Sequence, residues 1–122
     1  MQVTEDRPTI TGEHRELLDQ LLDKWSLHVL DQLCEHGALR FNGLRRAIPA
    51  ISQKSLTATL RRLERNGMVE RLVVSDRPVA VEYRIAPAGQ GLQDLIDALL
   101  LWTTAHLPEV ERARQRFDAE KN

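Results

Sequence analysis

Cysteine occurs once in these 122 residues, at Cys34, which excludes an intramolecular disulfide framework and suits a reducing compartment. Aromatics are also scarce, at 4%, so a core must be packed from Leu, Val, Ile and Ala. The longest strongly apolar run, Ala98 to Trp102, is far too short to span a bilayer, so no membrane partner is expected. The opening MQVTEDRPTI has neither a basic n-region nor an apolar h-region, and no secretory signal is expected. A cytoplasmic location follows as the expectation. Gly-rich phosphate loops, a nucleophile elbow, a paired-carboxylate motif and HExxH are all missing. The residues therefore point away from an enzyme and imply no cofactor.

Net charge is also near zero, at −1, but its distribution is not even. Residues 1–36 carry three basic and eight acidic side chains, a net of −5. Residues 37–86 carry ten and four, a net of +6, and residues 87–122 carry four and six, a net of −2. A polyanion responds to such a local basic segment, whereas overall charge speaks mainly to solubility.

The most informative stretch is Ser52–Asn66, SQKSLTATLRRLERN, closed by Gly67. At about 100° per residue, Leu56, Leu60 and Leu63 form a narrow apolar stripe able to dock on a core. Lys54, Arg61 and Arg65 point the opposite way around the small Ala58, with Thr57 and Arg62 at the margins. Ser52 is placed to cap the first turn, and Gly67 suits a left-handed residue after the last. Lys54 occupies the first turn, where the macrodipole disfavours a cation, with no acid to offset it. The amino end of this helix is thus a natural seat for phosphate. The plainer alternative is a solvated surface helix that is merely basic.

Around it, residues 1–10 read as a flexible polar leader. A helix is expected from Thr11, with Leu17, Leu18, Leu21 and Leu22 in a helical repeat. A second runs from about Lys24, where Trp25, Leu27, Val29, Leu30, Leu33 and Cys34 give a wide apolar face, and ends at Gly37 with His36 in its last turn. Ala38 to Phe41 is a short extended piece. Asn42 is then placed to cap a brief helix with Leu44, Ala47 and Ile48 inside and Arg45 and Arg46 outside, stopped by Pro49. That helix and Ser52–Asn66 form a helix-turn-helix candidate. Val69 to Val74 reads as a strand, Ser75-Asp76-Arg77-Pro78 as a turn, and Val79, Val81, Tyr83 and Ile85 as the alternating face of a second strand. The order of elements describes a winged helix, mainly α with a small β-hairpin as its wing.

Pro87 opens a long helix whose Leu92, Leu95, Ile96, Leu99, Leu100, Leu101 and Trp102 cover more than half its circumference. One small domain needs less, so a second surface is implied, most simply a partner subunit. Pro108 is expected to break this helix, leaving residues 108–122 as a charged, helical tail after a 11–107 domain.

The blocks KWSLHVLDQL, ALRFNGLRRAIPAISQKSLTATLRRLERNGMVER and VEYRIAPAGQGL, spanning roughly residues 24–92, resemble the HxlR family of bacterial winged-helix transcriptional regulators. The resemblance implies a homodimer joined through the first helix and the long carboxyl-terminal helix, a recognition helix at Ser52–Asn66, and a wing at the hairpin. Leu18, Leu22, Leu95, Leu99 and Trp102 are then the interface candidates. Two features depart from the family. Many members carry a cysteine just before the first helix, used by some to sense oxidants or electrophiles, and TITGEHRELL has none. Ala86 stands where the family often has Thr before the helix-opening proline, a lost cap worth about 0.5–2 kcal/mol.

Double-stranded DNA is the partner these features suit. Gln53, Lys54, Thr57, Ala58 and Arg61 are the candidates for base edges: Arg and Lys match guanine, Gln matches adenine, and the methyls of Thr57 and Ala58 can meet a thymine methyl. Arg45, Arg46, Ser52, Ser55, Arg62 and Arg65 are expected on phosphates, and Arg77 at the wing tip on backbone or in a minor groove. The alternatives are a winged helix used as a protein-interaction module and a metal-sensing regulator. Cys34 and His36 stand two apart, but a metal sensor needs more thiolates at defined spacing, so no metal is expected. The apolar face of its helix is expected to hide the Cys34 thiol. Trp25, Tyr83 and Trp102 leave open a small-molecule effector site, with core or interface packing as the ordinary role.

Overall fold

The computed structural model describes residues 7–121. Among these described residues, five helices and three strands follow in the order α1 (Gly12–Leu21), α2 (Lys24–His36), β1 (Ala38–Arg40), α3 (Phe41–Ala47), α4 (Gln53–Arg65), β2 (Val69–Asp76), β3 (Val79–Ile85) and α5 (Pro87–Lys121). Of the expected leader, residues 1–6 lie outside the described residues, and residues 7–10 are exposed without regular secondary structure.

The core forms where the apolar arcs of α2, α3 and α4 meet. Val29, Leu30 and Leu33 of α2, Leu44 of α3, and Leu56, Leu60 and Leu63 of α4 are essentially inaccessible to solvent. Ile48 and Ile51 from the α3–α4 turn, Val69 of β2 and Ile96 of α5 close the cluster. Each buried Leu contributes roughly 1.5–3 kcal/mol relative to an exposed one. Three on one helix therefore fix which side of α4 faces inward.

The sheet has three strands rather than the expected two, in the order β1-β3-β2, all antiparallel. β1 pairs Ala38 with Arg84 and Arg40 with Glu82. Three residues are too few to show a period-2 signal, so its pairing was not legible. The pairing also changes the start of α3. Arg40 ends β1 and at once serves as the N-cap, without a side-chain bond, so the helix begins at Phe41 and Asn42 lies inside it rather than capping it. β2 reaches Asp76, two residues further than expected, with a register shift between Val73 and Ser75. The alternation of β3 does not hold at the tip, where Val79 is exposed. Val73 and Val74 on the facing strand are exposed as well, so the apolar side of the hairpin tip is not packed in the core.

Two glycines are required by geometry. Gly67 has φ 79° and turns the chain out of α4, its N–H donating to the Glu64 carbonyl. Gly89 lets α5 lie against the chain that enters β2: a Cβ there would stand 2.1 Å from the Met68 carbonyl oxygen and 2.8 Å from Ile85 Cγ1. The same carbonyl accepts the Ala86 N–H, so it is not free to move aside. Gly89→Ala should destabilise the fold by about 1–3 kcal/mol in urea unfolding, as overpacking does. An unchanged midpoint would show that the α5 entry relaxes freely.

α5 does not break at Pro108. It runs as a single helix of 35 residues with Pro108 inside. A proline withholds one N–H from the carbonyl four residues earlier. Here that residue, Thr104, is exposed, so water can replace the lost donor.

Candidate nucleic-acid interface

α4 presents two faces whose separation follows from its sequence. Leu56, Thr59, Leu60 and Leu63 are buried, while Gln53, Lys54, Thr57, Ala58, Arg61 and Arg65 are exposed. Ser52 caps the helix as expected, its Oγ accepting the Ser55 N–H at 3.0 Å. No acidic residue occupies the first turn. The amino end of α4 thus combines unpaired backbone N–H groups with the Lys54 ammonium.

Gln53, Lys54, Thr57, Ala58 and Arg61 together line one shallow depression of about 580 Å³. Arg45 and Arg46 are exposed at the end of α3 and line another of about 320 Å³ with Asn42, Pro49 and Ile51. The five base-edge candidates therefore share one exposed face of α4, and two of the phosphate candidates are exposed on the preceding helix. Arg77 is exposed at the turn of the wing, where its N–H donates to Ser75 Oγ at 3.3 Å. Arg65 is exposed too, yet it shares a depression with Glu13 and Glu16 of α1, whose charge offsets its own.

Arg62 differs from the expectation. Its guanidinium is spent inside the protein: Nε donates to the Gln20 carbonyl at 3.0 Å, and Nη2 pairs with the Asp23 carboxylate and reaches Ser26 Oγ at 3.3 Å. At about 100° per residue Arg62 is a quarter-turn or more from Arg61, on the flank that meets the α1–α2 junction. Arg62 is therefore engaged within the protein and does not present its guanidinium to a phosphate. Gln20, Asp23 and Asn66 complete this cluster, and partners 39 to 46 residues apart leave no local pattern in the sequence. Arg84 is likewise paired, with Glu70 at 2.8 Å across the wing.

Cys34 is exposed rather than hidden. It sits about 90° from the middle of the buried arc Ser26–Val29–Leu30–Leu33, at the edge facing α5, where Gln90 Nε2 approaches its Sγ at 3.7 Å. Among the described residues no three His, Cys, Asp or Glu side chains converge as a metal site would require. Trp25 and Tyr83 pack against the core, and Trp102 stacks on His106 with ring centroids 4.6 Å apart.

A helix-turn-helix with a β wing is shared by many proteins, so comparison with known chains decides between them. The HxlR-like helix-turn-helix family matches residues 20–111, three quarters of the sequence. The chain belongs to the HxlR family. This HxlR chain is 37% identical to the HTH-type transcriptional regulator YtcD of Bacillus subtilis, over 76% of its own length and 73% of that protein. It is 36% identical to YtfH of Escherichia coli, also an HTH-type transcriptional regulator, over 82% and 79%. The reduced form of the transcriptional regulator YodB from B. subtilis superposes with a TM-score of 0.69 at 30% identity, covering 78% of this chain and 92% of that one. The HxlR protein is thus a winged helix-turn-helix transcriptional regulator and not an enzyme. Among its described residues, no helix is long and apolar enough to cross a membrane.

Proposed function

We propose that this HxlR regulator acts in the cytoplasm as a homodimer that reads an inverted repeat in double-stranded DNA. Each α4 enters a major groove, and the two grooves lie about 34 Å apart on one side of the duplex. Gln53, Lys54, Thr57, Ala58 and Arg61 meet base edges. Arg45, Arg46, Ser52, Ser55 and Arg65 hold phosphates, and Arg77 carries the wing to the backbone or a minor groove. Whether a bound site represses or activates depends on its place relative to a promoter.

The observation carrying this reading is the shared depression of the five base-edge candidates on the uncovered side of a helix whose other side is locked in the core. The second copy is supported by α5 and α1. Leu95, Leu99, Leu101 and Trp102 are 53–73% exposed, and Leu18 and Leu22 about 40%. So much apolar surface on a small domain is an interface signature.

Retention on duplex DNA tests the reading. The protein should be held by random-sequence duplex at low salt and released as salt rises, with log affinity falling linearly against log salt. Salt-independent behaviour, or no retention, would favour a protein-interaction module instead.

A further inference from the structure

We infer that Arg62 is a positioning residue for DNA recognition: its clamp onto the α1–α2 junction fixes how α4 is presented to DNA. The inference rests on the DNA-binding reading above.

Three elements converge on this one side chain. The carboxylate of Asp23 is divided between two tasks. Oδ1 accepts the Ser26 N–H at 2.7 Å and caps α2, while Oδ2 receives Arg62. The Gln20 carbonyl at the end of α1 accepts Arg62 Nε and lies 3.5 Å from the Ser26 hydroxyl. Ser26 itself is fully buried. One turn further along α4, Asn66 Nδ2 donates to Gln20 Oε1 at 2.8 Å and to the Arg62 carbonyl at 2.9 Å, holding the helix end to the same point.

A planar fork satisfying a carbonyl, a carboxylate and a hydroxyl at once has little rotational freedom, and an ammonium cannot reproduce it. The apolar side of α4 sets which face points inward. Leucines alone tolerate small rotations and slides, and the clamp removes them. Gln20 and Asp23 also bracket Leu21 and Leu22, and Leu22 with Leu18 belongs to the proposed dimer contact. The clamp therefore lies on the route from the subunit interface to the recognition helix. It sets the distance between the two α4 helices as well as the pose of each.

A structural or a phosphate-binding role predicts different results. The wild-type dimer is used to enrich a duplex from a random-sequence pool. Arg62→Gln, Arg62→Lys and Asp23→Asn are then measured on that duplex, on a random duplex, and on versions with the half-sites moved apart by one base pair. Asparagine still caps a helix, so Asp23→Asn should stay folded by circular dichroism. All three variants should bind the enriched duplex about tenfold more weakly and lose much of the spacing preference. Binding to random duplex and the salt slope should stay near wild type. Asp23→Asn is the sharpest case, because removing a negative charge near a polyanion would otherwise strengthen binding.

A salt slope lowered by about one in Arg62→Gln but restored in Arg62→Lys would make Arg62 a phosphate contact and overturn the proposal. Unchanged affinity and spacing preference in folded variants would also overturn it. If the wild type enriches no duplex, the DNA-binding reading itself fails, a result distinct from either of these.

Discussion

Leu99→Asp should convert the dimer to monomers and lower affinity for the enriched duplex by more than about a hundredfold. Leu99 is 53% exposed in the single chain and flanked along α5 by Leu95 and Trp102, more exposed apolar surface than one subunit has any use for. Burying a leucine of this kind against a partner stabilises the complex by roughly 1.5–3 kcal/mol, and the substitution loses that term from both subunits. A carboxylate in a desolvated contact adds a further penalty of several kcal/mol, because its neighbours one turn away on α5, Leu95, Ile96 and Trp102, are apolar. The DNA effect follows from geometry. A lone subunit making a few phosphate contacts binds weakly, whereas a rigid second copy makes its half of the encounter intramolecular. Sedimentation of the variant checks the first half of this expectation, and an intact dimer would show that the interface lies elsewhere. Leu18→Asp on α1 should act in the same direction.

Arg61→Ala should cost about 1–3 kcal/mol on the enriched duplex and relax preference at one base pair per half-site. The guanidinium stands on the exposed face of α4, beside Thr57 and Ala58, and among the described residues no carboxylate forms an ion pair with it. A bidentate contact to a guanine is worth about that much in discrimination. Binding measured on duplexes with single substitutions separates this from a backbone role. Loss confined to one position marks a base contact, and an equal loss on every sequence marks a phosphate contact.

Much of the architecture was legible because it depends on short-range chemistry. The Ser52 cap, the leucine stripe of α4, the turn at Gly67 and the proline that opens α5 each involve residues a few positions apart. The two opposed faces of α4 follow directly from those spacings. What sequence reading missed depends on partners far along the chain. Arg62 has the same local surroundings as Arg61, and only the arrival of Asp23 and the Gln20 carbonyl distinguishes them. β1 was seen as extended, but its pairing with β3, more than 40 residues later, decides where α3 begins. Cys34 was expected to be hidden because an apolar helix face was drawn too wide. Pro108 was expected to end a helix that exposure and hydration allow to continue.

Chemical-shift mapping of the ¹⁵N-labelled protein against the enriched duplex tests the central claim most directly. Amides from Gln53 to Arg61 should shift most, accompanied by Arg45, Arg46 and the wing tip at Arg77, while the buried amides of Leu56 and Leu60 move less than their outward neighbours. Shifts confined to α1 and α5, with α4 unperturbed at saturating DNA, would contradict the account.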